Sequence, residues 1–196
     1  MILNISFVHW LVIVALGIGS FGTIVYIRDT LRGTTKPNRV SWFMWSAAPL
    51  IGAGSAIHAG ADPWVVSRIL FSGLSPLFIF TASFFNPKGY WKLTTFDVTC
   101  GLFAVAALVA WLLVDLPRLA IILAVIGDGF AVLPTLRKAW WYPETETGTA
   151  YITGLLSLLL IMPSIQFWNI ENAAFQIYLL VANILLALFV YRKRLS

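Results

Sequence analysis

One aspartate is the residue whose type and position most clearly indicate chemistry. Asp128 lies in the middle of a long apolar segment, between Gly127 and Gly129. If that segment crosses a bilayer, a carboxylate at its centre costs at least about 2.5–3.5 kcal/mol, so it must face a polar cavity or stay neutral. We interpret it as a substrate-binding or proton-coupling acid. The alternative is a structural aspartate, protonated or hydrogen-bonded beside a break in a neighbouring helix.

Aromatic, hydroxyl and amide side chains are the further binding candidates. Trp42 and Trp45 are about one helical turn apart, and an indole face can stack on a sugar, a heterocycle or a cation. A tryptophan at the edge of a membrane can equally be an anchor, and this alternative applies most to Trp42. Thr135 lies seven residues after the aspartate, on the same helical face. Gln176 and Asn183 are likewise seven apart, and such amides either bind a solute or join helices through hydrogen bonds.

Proline and charged residues indicate hinges and a gate. Four prolines lie inside apolar segments, where a missing backbone N–H kinks a helix, namely Pro49, Pro76, Pro134 and Pro163. Carriers use such kinks as hinges, although static membrane helices contain them too. Glu144 and Glu146 follow the basic pair Arg137-Lys138 in the second polar loop, where an ion pair such as Arg137–Glu146 would form a cytoplasmic gate. The alternative is a solvated loop whose charges have no role.

Enzymatic chemistry is not indicated. The two histidines, His9 and His58, are far apart in sequence, and no His, Cys or Asp cluster has metal-ligand spacing. No catalytic triad order and no phosphate-binding glycine loop is present. Cys100 is the one cysteine, so a disulfide within the chain is excluded. We therefore expect no enzyme activity, no metal and no cofactor.

The elements that must position these residues are membrane helices. Hydrophobic residues make up 60% of the 196 residues and charged residues 11%, against about 25% charged in soluble domains. Seven segments are long and apolar enough to cross a bilayer, and their backbone polar groups require helices. The predicted fold is an all-α integral membrane protein of seven transmembrane helices. These cover 6–27, 41–60, 66–84, 97–114, 117–137, 150–168 and 173–191.

The basic residues predict the orientation of these helices. Eleven of the 13 Lys and Arg residues fall in the loops after helices one, three and five and in the carboxyl-terminal tail. The other two are Arg68 and Arg118. Because basic loops stay in the cytoplasm, we predict an inner (plasma) membrane protein with its N-terminus outside and its C-terminus in the cytoplasm. The net charge of +5 thus indicates contact with a lipid bilayer and not with nucleic acid.

An internal repeat organises the seven helices. A shift of 109 residues aligns Arg28 with Arg137 and Trp42 with Tyr151, and it aligns Asp128 with Gly19. We predict a first three-helix repeat over 1–92, a linker helix four within 93–116 and a second three-helix repeat over 117–196. Corresponding helices are four apart, so the two repeats run in parallel across the membrane.

The segment Leu133-Pro-Thr-Leu-Arg-Lys-Ala139, followed by a polar loop and another helix, resembles the PQ-loop motif. The 3+1+3 layout resembles the SWEET sugar carriers, the lysosomal PQ-loop amino-acid exporters and the nicotinamide-riboside carriers. The chain departs from the motif at Thr135, where the motif has Gln, and at Val25-Tyr26, where the first half lacks Pro-Gln. The resemblance implies two three-helix bundles around a central cavity, with Asn183 meeting the substrate.

These observations predict a small-molecule membrane carrier that moves a small polar solute by alternating access. Coupling to protons through Asp128 is an open option, as is a homo-oligomer. The alternative is a non-transporting membrane protein, either a sensor or an assembly or scaffold subunit.

Overall fold

The computed structural model describes residues 6–165 and 168–195, and this part of the chain forms helices without strands. Seven α-helices follow one another: α1 (Phe7–Arg32), α2 (Arg39–His58), α3 (Pro63–Ala82), α4 (Thr95–Leu112), α5 (Pro117–Trp141), α6 (Gly148–Ile161) and α7 (Ile170–Leu195). Short 3-10 turns cover Pro87–Gly89, Pro143–Thr145 and Met162–Ser164. The predicted all-helical fold is confirmed.

Local sequence explains where the helices begin and end. The Asn38 side chain caps α2, accepting hydrogen bonds from the backbone N–H groups of Val40 and Ser41. Asp62 caps α3 in the same way. Gly33 ends α1 with a φ of 79°, a left-handed conformation that glycine adopts without steric cost. Polar caps therefore define the helix ends that hydropathy alone leaves uncertain.

Six of the helices are long and apolar enough to cross a membrane, all except α6. Large apolar side chains cover the outside of the bundle, among them Leu102, Phe103 and Leu113, which are 67%, 53% and 78% exposed. An apolar surface of this extent needs lipid as its solvent. The helices are those of a membrane-embedded protein.

Several helix-end predictions need correction. The sixth helix was expected over 150–168, but α6 ends at Ile161, and residues 166–167 lie outside the described part. Pro163 lies in the 3-10 turn after α6 and not inside the helix, because proline has no N–H to continue the helical hydrogen bonds. In contrast, α1, α5 and α7 continue about one turn beyond their predicted ends. The predicted ends were set where polar residues begin, and polar residues can leave the bilayer while the helix continues.

The helices pack in the same order in both halves of the chain. Helix α3 packs against both α1 and α2, and α7 packs against both α5 and α6. Across the two halves, α1 packs against α6 and α2 against α5. Helix α4 packs mainly on α5, where Gly127 faces Ala104 and Ala107 and lets the helices approach closely.

One end of the bundle gathers the loops that carry most of the Lys and Arg residues, and we call it the basic end. There the Asn86 side chain donates to the carbonyl of Leu31 at 2.7 Å, and the Arg192 guanidinium donates to the carbonyl of Trp140. The carboxyl ends of α1, α3, α5 and α7 therefore meet at this end. At the opposite end His9, near the start of α1, stacks on Trp64 at the start of α3.

Candidate functional site

Asp128 lies on α5 where α7 and α2 approach it. The Tyr178 hydroxyl of α7 donates a hydrogen bond to Asp128 Oδ2 at 2.7 Å. The Trp45 side chain of α2 is within hydrogen-bonding reach of the same carboxylate. All three residues are half-buried. Asp128 is therefore partly exposed and not enclosed by apolar side chains alone. Its own helix α5 and the contacts from α2 and α7 position its carboxylate.

An aromatic column leads from this aspartate towards the basic end. Trp45 contacts Trp42 edge-on, with ring centroids 5.0 Å apart, and Trp42 contacts Tyr26 at 4.7 Å. Trp42 is 6% exposed and belongs to the main core cluster, so the interpretation of this residue as a lipid-facing anchor is wrong. Its indole is buried and within hydrogen-bonding reach of the Tyr26 side chain. We call Trp45, Trp42 and Tyr26 the aromatic column.

A second carboxylate, Glu146, lies at the basic end of this column. The hydroxyls of Tyr26 and Tyr151 each donate to Glu146 Oε2 at 2.8 Å. Lys138 Nζ lies 2.5 Å from Glu146 Oε1, and both side chains are about 1% exposed or less. The predicted partner, Arg137, instead places its guanidinium over the Phe96 ring at 4.7 Å. The cation that pairs with Glu146 is therefore Lys138, because the helix turns Arg137 towards Phe96 of α4.

Further hydrogen bonds join the two polar loops around this ion pair. The Lys36 N–H donates to the carbonyl of Thr145 at 3.0 Å, and Lys138 Nζ donates to the carbonyl of Lys36. The hydroxyls of Thr35 and Thr147 are 2.5 Å apart. We call Lys36, Lys138, Glu146 and the pair Thr35–Thr147 the closure layer. It joins the loop after α1 to the loop after α5 and so ties the two halves together at the basic end.

Other predicted site residues lie elsewhere. Thr135 is fully buried and donates to the Ser41 hydroxyl at 2.8 Å, which ties α5 to α2. Asn183 donates to the carbonyl of Leu179 on its own helix at 2.9 Å, and its Oδ1 lies against Gly154 of α6. The structure therefore places both in helix–helix contacts.

The remaining predicted residues lie on the helices as expected, without a contact that assigns them a role. Gln176 is half-buried on α7, two residues before Tyr178. Pro49, Pro76 and Pro134 lie inside α2, α3 and α5.

Sequence reasoning missed three residues of these two clusters, namely Tyr26, Tyr151 and Tyr178. Tyrosines are common at membrane interfaces, so their residue type carries little signal. For Tyr151 one signal was available, because the internal repeat aligns it with Trp42, a candidate residue of the first half.

A pocket of about 420 Å³ opens at the basic end beside the closure layer. Asp29, Glu144 and Glu146 line it together with threonines and Tyr191. Within the described residues, no three His, Cys, Asp or Glu side chains are grouped to hold a metal ion.

Comparison with known proteins finds no matching family model, no matching curated protein and no matching solved structure. The interpretation of function therefore depends on the geometry described above.

Proposed function

We propose that this protein is a membrane carrier that moves a small polar solute by alternating access. The observation that carries the proposal is the arrangement of Asp128. This half-buried acid lies where helices of both halves meet, and the closure layer separates it from the basic end. A binding group inside the membrane, with a layer of breakable polar contacts on one side of it, is the arrangement that alternating access requires.

The packing supports two parallel three-helix repeats joined by α4. In the first pair of helices, Gly22 of α1 contacts Thr153 of α6. The shift of 109 residues aligns Gly22 with Ala131 and Met44 with Thr153. Ala131 of α5 and Met44 of α2 also share one core cluster, so the two contacts are equivalent. Lys36 corresponds to Thr145, and these two positions are hydrogen-bonded to each other. Equivalent positions contact each other where a two-fold axis passes between two copies. In this proposal the two halves, which that axis relates, rock against each other around the site at Asp128.

The topology supports seven crossings although α6 has only 14 residues. The carboxyl ends of α5 and α7 both lie at the basic end, so α7 must begin at the opposite end. The chain between them has to cross the bundle once. Helix α6 contributes about 21 Å and its 3-10 extension about 6 Å, which together approach a hydrocarbon core of about 30 Å. With the basic end in the cytoplasm, the N-terminus is outside.

Proton coupling follows from the position of Asp128. A carboxylate that faces each side of the membrane in turn can bind a proton on one side and release it on the other. The Tyr178 hydroxyl holds the carboxylate in place during this exchange.

Transport assays in proteoliposomes test the proposal, with labelled glucose, alanine, uridine and choline as probes. We expect at least one probe to accumulate above the level in protein-free liposomes, with an uptake that depends on pH. Asp128→Asn should remove the pH dependence, because an amide does not titrate in this range. Asp115→Asn, which changes an exposed acid in the loop before α5, is the matched control and should behave like the unmodified protein.

Two results would overturn the proposal. One is that no probe accumulates while the purified protein is folded and carries a stoichiometric protein partner, which would favour the scaffold alternative. The other is accumulation whose pH dependence is the same in Asp128→Asn, which would remove Asp128 from the mechanism.

A further inference from the structure

We propose that the solute is an organic cation that binds between Asp128 and the aromatic column, an inference that rests on the proposed carrier function. Four observations lead to it: the charge of the site, its aromatic faces, its hydrogen-bonding groups and its connection to Glu146.

The charge of the site is the first argument. The partners of Asp128 within the described residues are neutral, the Tyr178 hydroxyl and the Trp45 indole. Glu146, in contrast, has Lys138 as its counter-ion at 2.5 Å. An ionised carboxylate inside a membrane is stable only when a positive charge or several donors compensate it. A bound cation would supply the charge that the protein itself does not place beside Asp128.

The aromatic faces are the second argument. Trp45 is half-buried beside the carboxylate, and Trp42 packs edge-on against it. An indole face attracts an ammonium group more strongly than the face of any other side chain. A carboxylate next to the Trp45 indole, with Trp42 packed behind that indole, combines the two side-chain types that recognise a methylated or ring-bound ammonium.

The hydrogen-bonding groups exclude other solute classes. A sugar would need several donors and acceptors, but the groups placed at the site are one carboxylate, one hydroxyl and the Trp45 indole N–H. An anion would be repelled by Asp128. A zwitterion would need a cationic side chain, and the nearby Lys138 is already bound to Glu146.

The connection to Glu146 is the fourth argument. Tyr26 contacts Trp42 with its ring and Glu146 with its hydroxyl, so the aromatic column joins the two carboxylates. When the two halves move apart, a cation that leaves Asp128 would pass these rings and reach a second negative charge, Glu146. There it competes with Lys138, and this competition would open the closure layer when solute arrives.

A proton and a cation compete for the same carboxylate in this arrangement. The groups that face Asp128 are Tyr178 from α7 and Trp45 from α2, and α4 packs on the adjacent Gly127 through Ala104 and Ala107. Cation binding should therefore weaken as pH falls, with release of a proton when the cation binds at low pH.

Matched pairs of probes test the inference by direct binding to the purified protein. Choline and benzyltrimethylammonium are cations, and 3,3-dimethyl-1-butanol and neopentylbenzene are their neutral isosteres. We expect each cation to bind at least about ten-fold more tightly than its isostere, a difference of about 1.4 kcal/mol. Trp45→Leu should weaken cation binding about ten-fold, whereas Trp45→Phe should retain most of it. Thermal unfolding in detergent verifies that both variants are folded.

The outcomes separate this inference from the carrier function. Equal binding of cations and isosteres, or no cation binding by the folded protein, overturns the inference even if another solute is transported. Cation binding without uptake in proteoliposomes supports the site and overturns the carrier function. Cation binding and uptake that both fall with Asp128→Asn support the two together.

Discussion

Asp128 and Glu146 are two carboxylates on one aromatic column, and their surroundings differ. Glu146 is buried, accepts two tyrosine hydroxyls and pairs with Lys138. Asp128 is half-buried and accepts one tyrosine hydroxyl, and its partners in the described chain carry no charge. The difference teaches that the two acids are compensated to different degrees, and in our proposal Glu146 holds structure together whereas Asp128 binds the ligand.

The comparison of Glu146 with Asp128 predicts that variants at the two sites affect different properties, stability at Glu146 and transport at Asp128. Removing one partner of a buried ion pair leaves an uncompensated charge, which costs about 3–5 kcal/mol. Removing the charge of an acid without a charged partner costs far less stability. Variants in the closure layer should therefore affect folding or opening, and variants at Asp128 should affect binding.

The largest effect on transport is expected from a covalent lock on the closure layer. The Thr35 and Thr147 hydroxyls are 2.5 Å apart, so Thr35→Cys with Thr147→Cys, in a Cys100→Ser background, places two thiols in reach of each other. Oxidation should reduce uptake to background, and reduction should restore it. The single variant Thr35→Cys is the control. Full uptake by the oxidised, cross-linked protein would show that the basic end need not open.

The largest effect on stability is expected at the ion pair. Lys138→Met should lower the free energy of unfolding by about 3–5 kcal/mol, because Glu146 then remains buried without its counter-ion. The measurement is thermal or denaturant unfolding in detergent. Glu144→Gln changes an exposed acid of the same loop and should have little effect. Adding Glu146→Gln to Lys138→Met should recover part of the loss, and a further loss would contradict the pairing.

A smaller effect distinguishes the two tyrosine contacts. Tyr151→Phe removes a hydrogen bond to the buried Glu146 and should cost about 1.5–3 kcal/mol of stability. Tyr178→Phe removes the corresponding bond to the half-buried Asp128 and should cost about 1 kcal/mol or less, since solvent or solute can replace it. Equal costs in the same unfolding assay would remove the contrast between the two acids.

Much of the fold was predictable from the sequence. The seven helices lie close to their predicted ranges, and the largest errors are at helix ends, as with Ile161 and Pro163. Those errors have a local cause. Hydropathy indicates which residues lie in the bilayer, whereas capping residues and prolines determine where a helix begins and ends. Asp128 was also predictable, because a charge within an apolar segment is conspicuous in any packing arrangement.

The partners of the candidate residues were not predictable. Arg137 and Lys138 are adjacent in sequence, and only the rotation of α5 determines that Lys138 faces Glu146 while Arg137 faces Phe96. Tyr26 and Glu146 are 120 positions apart, and Asp128 and Tyr178 are 50 apart. Spacing within one helix carries no information about such contacts.

The sequence by itself thus determined that the chain is helical and membrane-embedded, because lipid cannot satisfy backbone polar groups and so composition and segment length are sufficient. Only the tertiary structure decided which acid is compensated and which is open. That outcome depends on how helices rotate and pack against one another, and the apolar faces that drive their insertion into lipid do not specify it.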